Sequence, residues 1–122
     1  MTIEDLEGFF ANGWNRHDVD TLMTFMTEDC VFEGVAGREA FGTRYAGCER
    51  VRDAFARVFT EVPNVHFDDV RHFISGDRGL SEWTFRGTTP DGKDIEVNGC
   101  DVFTFRNGKI AVKSSYFKTR TA

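Results

Sequence analysis

The chain is poor in the residues that metal, cofactor and nucleic-acid proteins depend on. Its three cysteines, Cys30, Cys48 and Cys100, are odd in number, far apart and form no C-x-x-C pair. That argues against a secreted disulfide framework and against a thiolate zinc site; they read as small, reduced, apolar residues. No segment gathers lysine or arginine, the formal charge is −5 and the pI is near 5.1. Nucleic acid and anionic membranes are therefore not expected as partners. No apolar run approaches the length of a membrane span. The start, Met1-Thr2-Ile3-Glu4-Asp5, is acidic and has neither a basic n-region nor an apolar h-region, so the expected location is cytoplasmic. There is no G-x-G-x-x-G, no Walker A loop and no G-x-S-x-G elbow, and no cofactor is assigned.

What the chain has in quantity is phenylalanine. Thirteen Phe, two Trp and two Tyr stand among 122 residues that are 40% hydrophobic. This is enough for one core and too little chain for two, so residues 1–122 are expected to form a single domain. A Phe-rich interior either packs solid or lines a cavity for a flat apolar ligand.

The periodicity predicts helices first and strands after. Ile3, Leu6, Phe10 and Trp14 recur at helical spacing behind a Thr2 cap and the acidic Glu4 and Asp5, giving a first helix over 3–14. Asp18 caps a second over 19–26, with Val19, Leu22, Met23 and Met26 as its stripe. A short strand is expected at 30–33, then an irregular stretch over 34–47 with four glycines. The clearest helical stripe is Val51, Ala54, Phe55, Val58, Phe59 and Val62, stopped by Pro63. Strands follow at 65–75, 79–88, 95–106 and 109–118, with turns at Gly76-Asp77 and Pro90-Asp91-Gly92 and a strong hairpin signal at Asn107-Gly108. Helices gathered on one face of an antiparallel sheet make an α+β domain.

This element order resembles the nuclear transport factor 2-like superfamily. So do three local phrases: Trp14-Asn15-Arg16-His17-Asp18-Val19-Asp20, Glu28-Asp29-Cys30-Val31-Phe32-Glu33, and Asp101-Val102-Phe103-Thr104-Phe105 before Asn107-Gly108-Lys109-Ile110. Its SnoaL-like and ketosteroid-isomerase-like branch is the most similar. The resemblance spans nearly the whole chain. It implies an α+β half-open cone, in which a curved, mixed, mostly antiparallel sheet wraps three N-terminal helices around one pocket. It also implies a homodimer through the outer face of the sheet. It does not fix a reaction, because this fold hosts isomerases, cyclases, hydrolases and non-enzymes.

Asp101 is the candidate catalytic residue. Strand interiors disfavour Asp, and parity puts it on the face of Gly99, Phe103 and Phe105. In a Phe-lined cavity it is expected to keep a proton and to act as an acid or hydrogen-bond donor. The resemblance agrees, since Asp101 falls where ketosteroid isomerases carry their oxyanion-hole acid, the well-known case of a carboxylic acid held neutral. It also falls where limonene-type epoxide hydrolases carry a catalytic Asp. Their partners do not carry over. The isomerase base falls at Gly34, with Glu33 adjacent on the other face, and its tyrosine falls at Phe10. The hydrolase arginine falls at Gly99 and its second aspartate at Ser115. Phe10, Trp14, Phe32, Tyr45, Phe55, Phe59, Phe103 and Ser115 are expected to line the pocket around a small apolar ligand, with Phe10 and Trp14 stacked four residues apart. The alternatives are a cofactor-independent acid/base enzyme acting on a cyclic or carbonyl compound, and a binding or association module without turnover.

His66, Asp68 and His72 share one face of an extended strand. His66 and His72 would lie ~20 Å apart at ~3.3 Å per residue, so no metal is assigned. His17, in a polar loop, is expected to be solvated.

Overall fold

A computed structural model describes all residues 1–122. Three helical segments precede and punctuate a six-stranded sheet: α1 (Ile3–Gly8) running into a π-helix (Phe9–Trp14), α2 (Val19–Thr24), β1 (Met26–Glu33), β2 (Arg44–Ala46), α3 (Cys48–Glu61), β3 (His66–Ser75), β4 (Arg78–Thr88), β5 (Asp94–Arg106) and β6 (Lys109–Phe117). The strand order is β2-β1-β6-β5-β4-β3. Only β1 and β6 run parallel, and every other pair is antiparallel. The sheet stays open, and the helices cover one face.

Most boundaries fall where the periodicity places them. Thr2 and Asp5 form a reciprocal capping box on α1, and Asp18 caps α2 through the Thr21 amide. Four expectations need correction. First, the sheet has six strands rather than five, because the glycine-rich stretch contributes β2, and β1 begins earlier, at Met26. Met26 therefore belongs to a strand and not to the second helix.

Second, the first helix changes pitch at Phe9. Asn15 N–H reaches Phe10 O (2.8 Å) and Asp18 N–H reaches Gly13 O (2.9 Å), five residues back. This wider turn buries Phe9, Phe10, Gly13 and Trp14 together. Phe10 and Trp14 do not stack on each other; both ring centroids lie 5.4 Å from that of Phe67, which separates them.

Third, a bulge in β3 reverses side-chain parity. Asp69 takes φ 54°, and Asp69 and Val70 fall in the gap of the β3–β4 register. Phe67 points inward before the bulge; Val70, His72 and Ile74 point inward after it. His66 thus stays outside on Asp68 (2.6 Å), and His72 meets the buried Ser81 hydroxyl at 2.7 Å.

Fourth, His17 is exposed yet engaged. Its ring stacks on Phe59 (4.9 Å, 27°) and its Nε2 donates to Val65 O at 2.7 Å. Asn15 accepts from Phe67 N–H (2.8 Å) and donates to Phe67 O (3.0 Å). The junction between the first two helices is therefore stitched to β3, an edge strand whose free backbone groups it satisfies.

The core is aromatic. Phe9 meets Phe10, Trp14, Phe25 and Phe103 edge-on, with centroids 5.4–6.4 Å apart. Each fully buried Phe contributes about 1.5–3 kcal/mol of transfer free energy.

Candidate functional site

A cavity of about 320 Å³ opens between α3, the inner sheet face and the loop after β1. Its walls are apolar, with Phe32, Phe67, Trp83 and Phe85 among them. Its depth is polar, with Trp14, Lys113 and Ser115. The exposed Arg57 and Glu61 of α3 stand at its mouth.

Register builds the deep end. Ser115 on β6 lies opposite Asp101 on β5, Asp101 opposite Ser81 on β4, and Ser81 opposite His72 on β3. A polar row thus crosses four strands on the inner face. Asp101 is fully buried, and both hydrogen bonds to its carboxyl group are donated to it. Trp83 Nε1–H reaches Oδ2 at 3.1 Å, and the Ser115 hydroxyl reaches Oδ1 at 2.5 Å. Lys113 Nζ stands 2.9 Å from the same Oδ1 and donates to Ser115 Oγ at 2.9 Å. Asp101 therefore accepts through both oxygens, and its carboxyl group faces Lys113 Nζ rather than the cavity. It does not line the cavity; Lys113, Ser115 and Trp83 stand between it and the opening.

Lys113 is the residue that strand logic could have found and did not. It shares Ser115's parity, two residues earlier, and so faces inward with it. Its ammonium packs against Phe32 (4.6 Å), Trp14 (5.2 Å) and Phe55 (5.5 Å). Three rings and a carboxylate make burial of this cation tolerable. Of its three N–H donors, Ser115 takes one, and Asp101 stands at ion-pair distance. Trp14 also holds an indole N–H with no partner, although the residue is only 1% exposed. The deep end thus carries two donor groups with unspent N–H, and its carboxylate is out of reach.

Of the residues expected around the ligand, Trp14, Phe32, Tyr45 and Ser115 line the cavity. Phe10, Phe55, Phe59 and Phe103 do not. Phe10, Phe55 and Phe103 are at most 2% exposed and form the core beneath the walls. Phe59 is turned toward His17 and Trp14. Helical and strand parity identify the inward face but not the depth of a side chain within it. Arg57, Trp83 and Phe85 were not anticipated; Arg57 and Glu61 flank the apolar stripe of α3 and read in sequence as solvent-facing charge. Gly34 lines the cavity, and Glu33 is bound to Arg44 at 2.7 Å. His72 faces the core, where burial lowers its pKa. No three His, Cys, Asp or Glu side chains converge anywhere in the chain.

An open mixed sheet folded over helices, with one cavity between them, is the cone of the nuclear transport factor 2-like fold. Within it, the chain belongs to the SnoaL-like domain family, whose sequence pattern matches residues 6–113. Solved structures agree on the fold. A candidate polyketide cyclase from Xanthomonas campestris pv. campestris is 19% identical over 94% of this chain and 88% of its own, with a TM-score of 0.82. A protein of ketosteroid isomerase-like fold from Catenulispora acidiphila, solved in complex with trimethylamine, is 21% identical over 95% and 86%, with a TM-score of 0.79. TerC, co-crystallised with polyporic acid, is 21% identical over 95% and 90%, with a TM-score of 0.78. At these identities the likeness concerns the fold alone. No curated protein sequence matches the chain.

Proposed function

We propose that this protein binds a small, flat, apolar compound whose carbonyl or enolate oxygen meets Lys113 and Trp14 at the deep end of the cavity. One observation carries the reading: an apolar cavity ends in two donor groups with unspent N–H and no accessible carboxylate. Such an end is satisfied by a ligand atom that accepts, for instance a carbonyl or enolate oxygen. The polyporic acid of TerC and the cyclase description of the Xanthomonas protein are in keeping with a cyclic, oxygen-bearing ligand.

If the compound is turned over, the chemistry is cofactor-independent and of the isomerase or cyclase kind. A developing enolate charge would be held by the Lys113 ammonium, with Asp101 and Ser115 fixing that ammonium in place. Asp101 is then a positioning residue rather than the acid. A binding module without turnover is the second reading. It is favoured by Gly34, which stands on the cavity wall where a proton-accepting side chain would be needed. We also propose a cytoplasmic homodimer joined through the outer sheet face, on the grounds of composition and of the partly apolar outer row described below.

The test compares fluorenone with fluorene, which share a shape and differ by one carbonyl oxygen. Titrations are followed by proton–nitrogen NMR, which reports the Trp14 and Trp83 indole N–H signals separately. Fluorenone should bind about tenfold tighter or better, as expected for one hydrogen bond from a charged donor, and should move the Trp14 signal. Lys113→Met should remove the preference. Equal binding of the two compounds to the native protein would rule out recognition of the oxygen.

A further inference from the structure

We infer that the compound is an acid, with its oxygen at Lys113 and a carboxylate on Arg57 at the cavity mouth. This rests on the cavity being the ligand site, and it adds the charge and the length of what binds there.

Only three charged side chains line the cavity, Lys113, Arg57 and Glu61. The charge of Lys113 is already answered by Asp101 at 2.9 Å. Arg57 has no such answer. Glu61 lies one helical turn further along α3, a spacing that brings opposite charges within reach, yet Arg57 forms no ion pair with it or with any other carboxylate. The one polar contact of Arg57 is to Tyr45 Oη, at 3.4 Å. Most of its five donors are therefore unspent, in a planar fork that matches a carboxylate.

The wall between the two cations gives the ligand its shape. The Arg57 guanidinium lies 5.9 Å from the Tyr45 ring, Tyr45 stacks on Phe32 at 5.7 Å and 15°, and Phe32 faces the Lys113 ammonium at 4.6 Å. A cation thus closes each end of a strip made of two near-parallel rings. A flat body fits along that strip, with an acceptor at both ends. The inner end is electrically balanced by Asp101, so the formal negative charge belongs at the outer one. Glu61 beside the mouth opposes an anion and narrows its approach to the Tyr45 side.

The test uses a fluorenone carboxylate and its methyl ester, which share ring and ketone and differ in charge. The acid should bind the native protein about tenfold tighter than the ester at low salt, with the gap shrinking as salt screens the mouth. Arg57→Met should bring the acid down to the ester's affinity, and Arg57→Lys should keep part of the gap. Glu61→Gln should tighten the acid alone. Equal affinity of acid and ester for the native protein overturns the inference. So does a gap that survives Arg57→Met and disappears in Lys113→Met, because the carboxylate would then sit at the deep end. If the ester and fluorenone itself fail to bind as well, the cavity reading fails and takes this inference with it.

Discussion

Lys113 and Asp101 form an ion pair of 2.9 Å from Nζ to Oδ1, with side chains only 4% and 0% exposed. Both ions have left water, and their attraction and hydrogen bonds must offset that loss. The pair ties β5 to β6 and aims an ammonium at the cavity. It therefore couples the stability of the sheet to the chemistry of the site.

Asp101→Asn tests the pair directly. The variant keeps the shape but leaves the Lys113 ammonium buried among rings with no charge to meet it. It should lose about 3–5 kcal/mol at neutral pH, read by urea denaturation. Replacing both partners, Lys113→Met with Asp101→Leu, should recover most of that loss, because no unpaired charge remains buried. An Asp101→Asn variant as stable as the native protein would show that the two groups are not ionised together.

His72 should make stability depend on pH. Burial lowers its pKa from the ordinary 6.5, and the charge of Glu7 opposes this more weakly. The ring is faced by Ser81 from β4, Phe10 from the π-helix and Glu7 from α1. A histidine depressed in this way binds fewer protons folded than unfolded. Its contribution is full above about 6.5 and is lost as pH falls from there toward the folded value. His72→Gln should flatten the stability profile between about pH 7 and pH 5. At lower pH a further loss should remain in both proteins, because Asp68 is held below the ordinary carboxylate range, chiefly by its hydrogen bond from Arg86.

The cysteines should react in order of access. Cys48 is exposed at the start of α3, while Cys30 is buried in β1 with burial pushing its thiol up to about 11. Burial also raises the Cys100 thiol. Since the thiolate is the nucleophile, iodoacetamide at neutral pH should label Cys48 first, Cys100 more slowly and Cys30 only in denaturant. Peptide mass spectrometry would show this. Rapid labelling of Cys30 in the folded protein would mean that β1 opens locally.

The outer sheet face bears on assembly. Val102 pairs with Leu80, and Leu80 with Phe73, which is 53% exposed. Together with Val31 and Val112, paired in register on the same face, they make a partly apolar outer surface. Sedimentation at micromolar concentration should give about double the 13.9 kDa of one chain, and Val102→Glu should halve it. A single-chain mass for the native protein would remove the homodimer.

The sequence by itself determined most of the elements and the hairpin order of the four long strands. The α3 stripe, the Asn107-Gly108 hairpin and the Asp18 cap are local signals, written within a few residues and read by helical or strand period. It also marked Asp101, because an aspartate inside an apolar strand needs partners wherever the strand goes. What tertiary structure decided was depth, parity and partnership. The Asp69 bulge turned His72 inward and left His66 outside, and no local pattern announces one extra residue in a strand. The π-turn parted Phe10 from Trp14 by changing the helical period that their spacing assumed. Lys113 became the partner of Asp101 only when β6 came to lie beside β5, since a lysine in a strand reads as surface until its parity is checked against its neighbours. Arg57 and Glu61 look alike in sequence to any solvent-facing pair on a helix. They belong to a cavity mouth only because the sheet folds over that edge of α3.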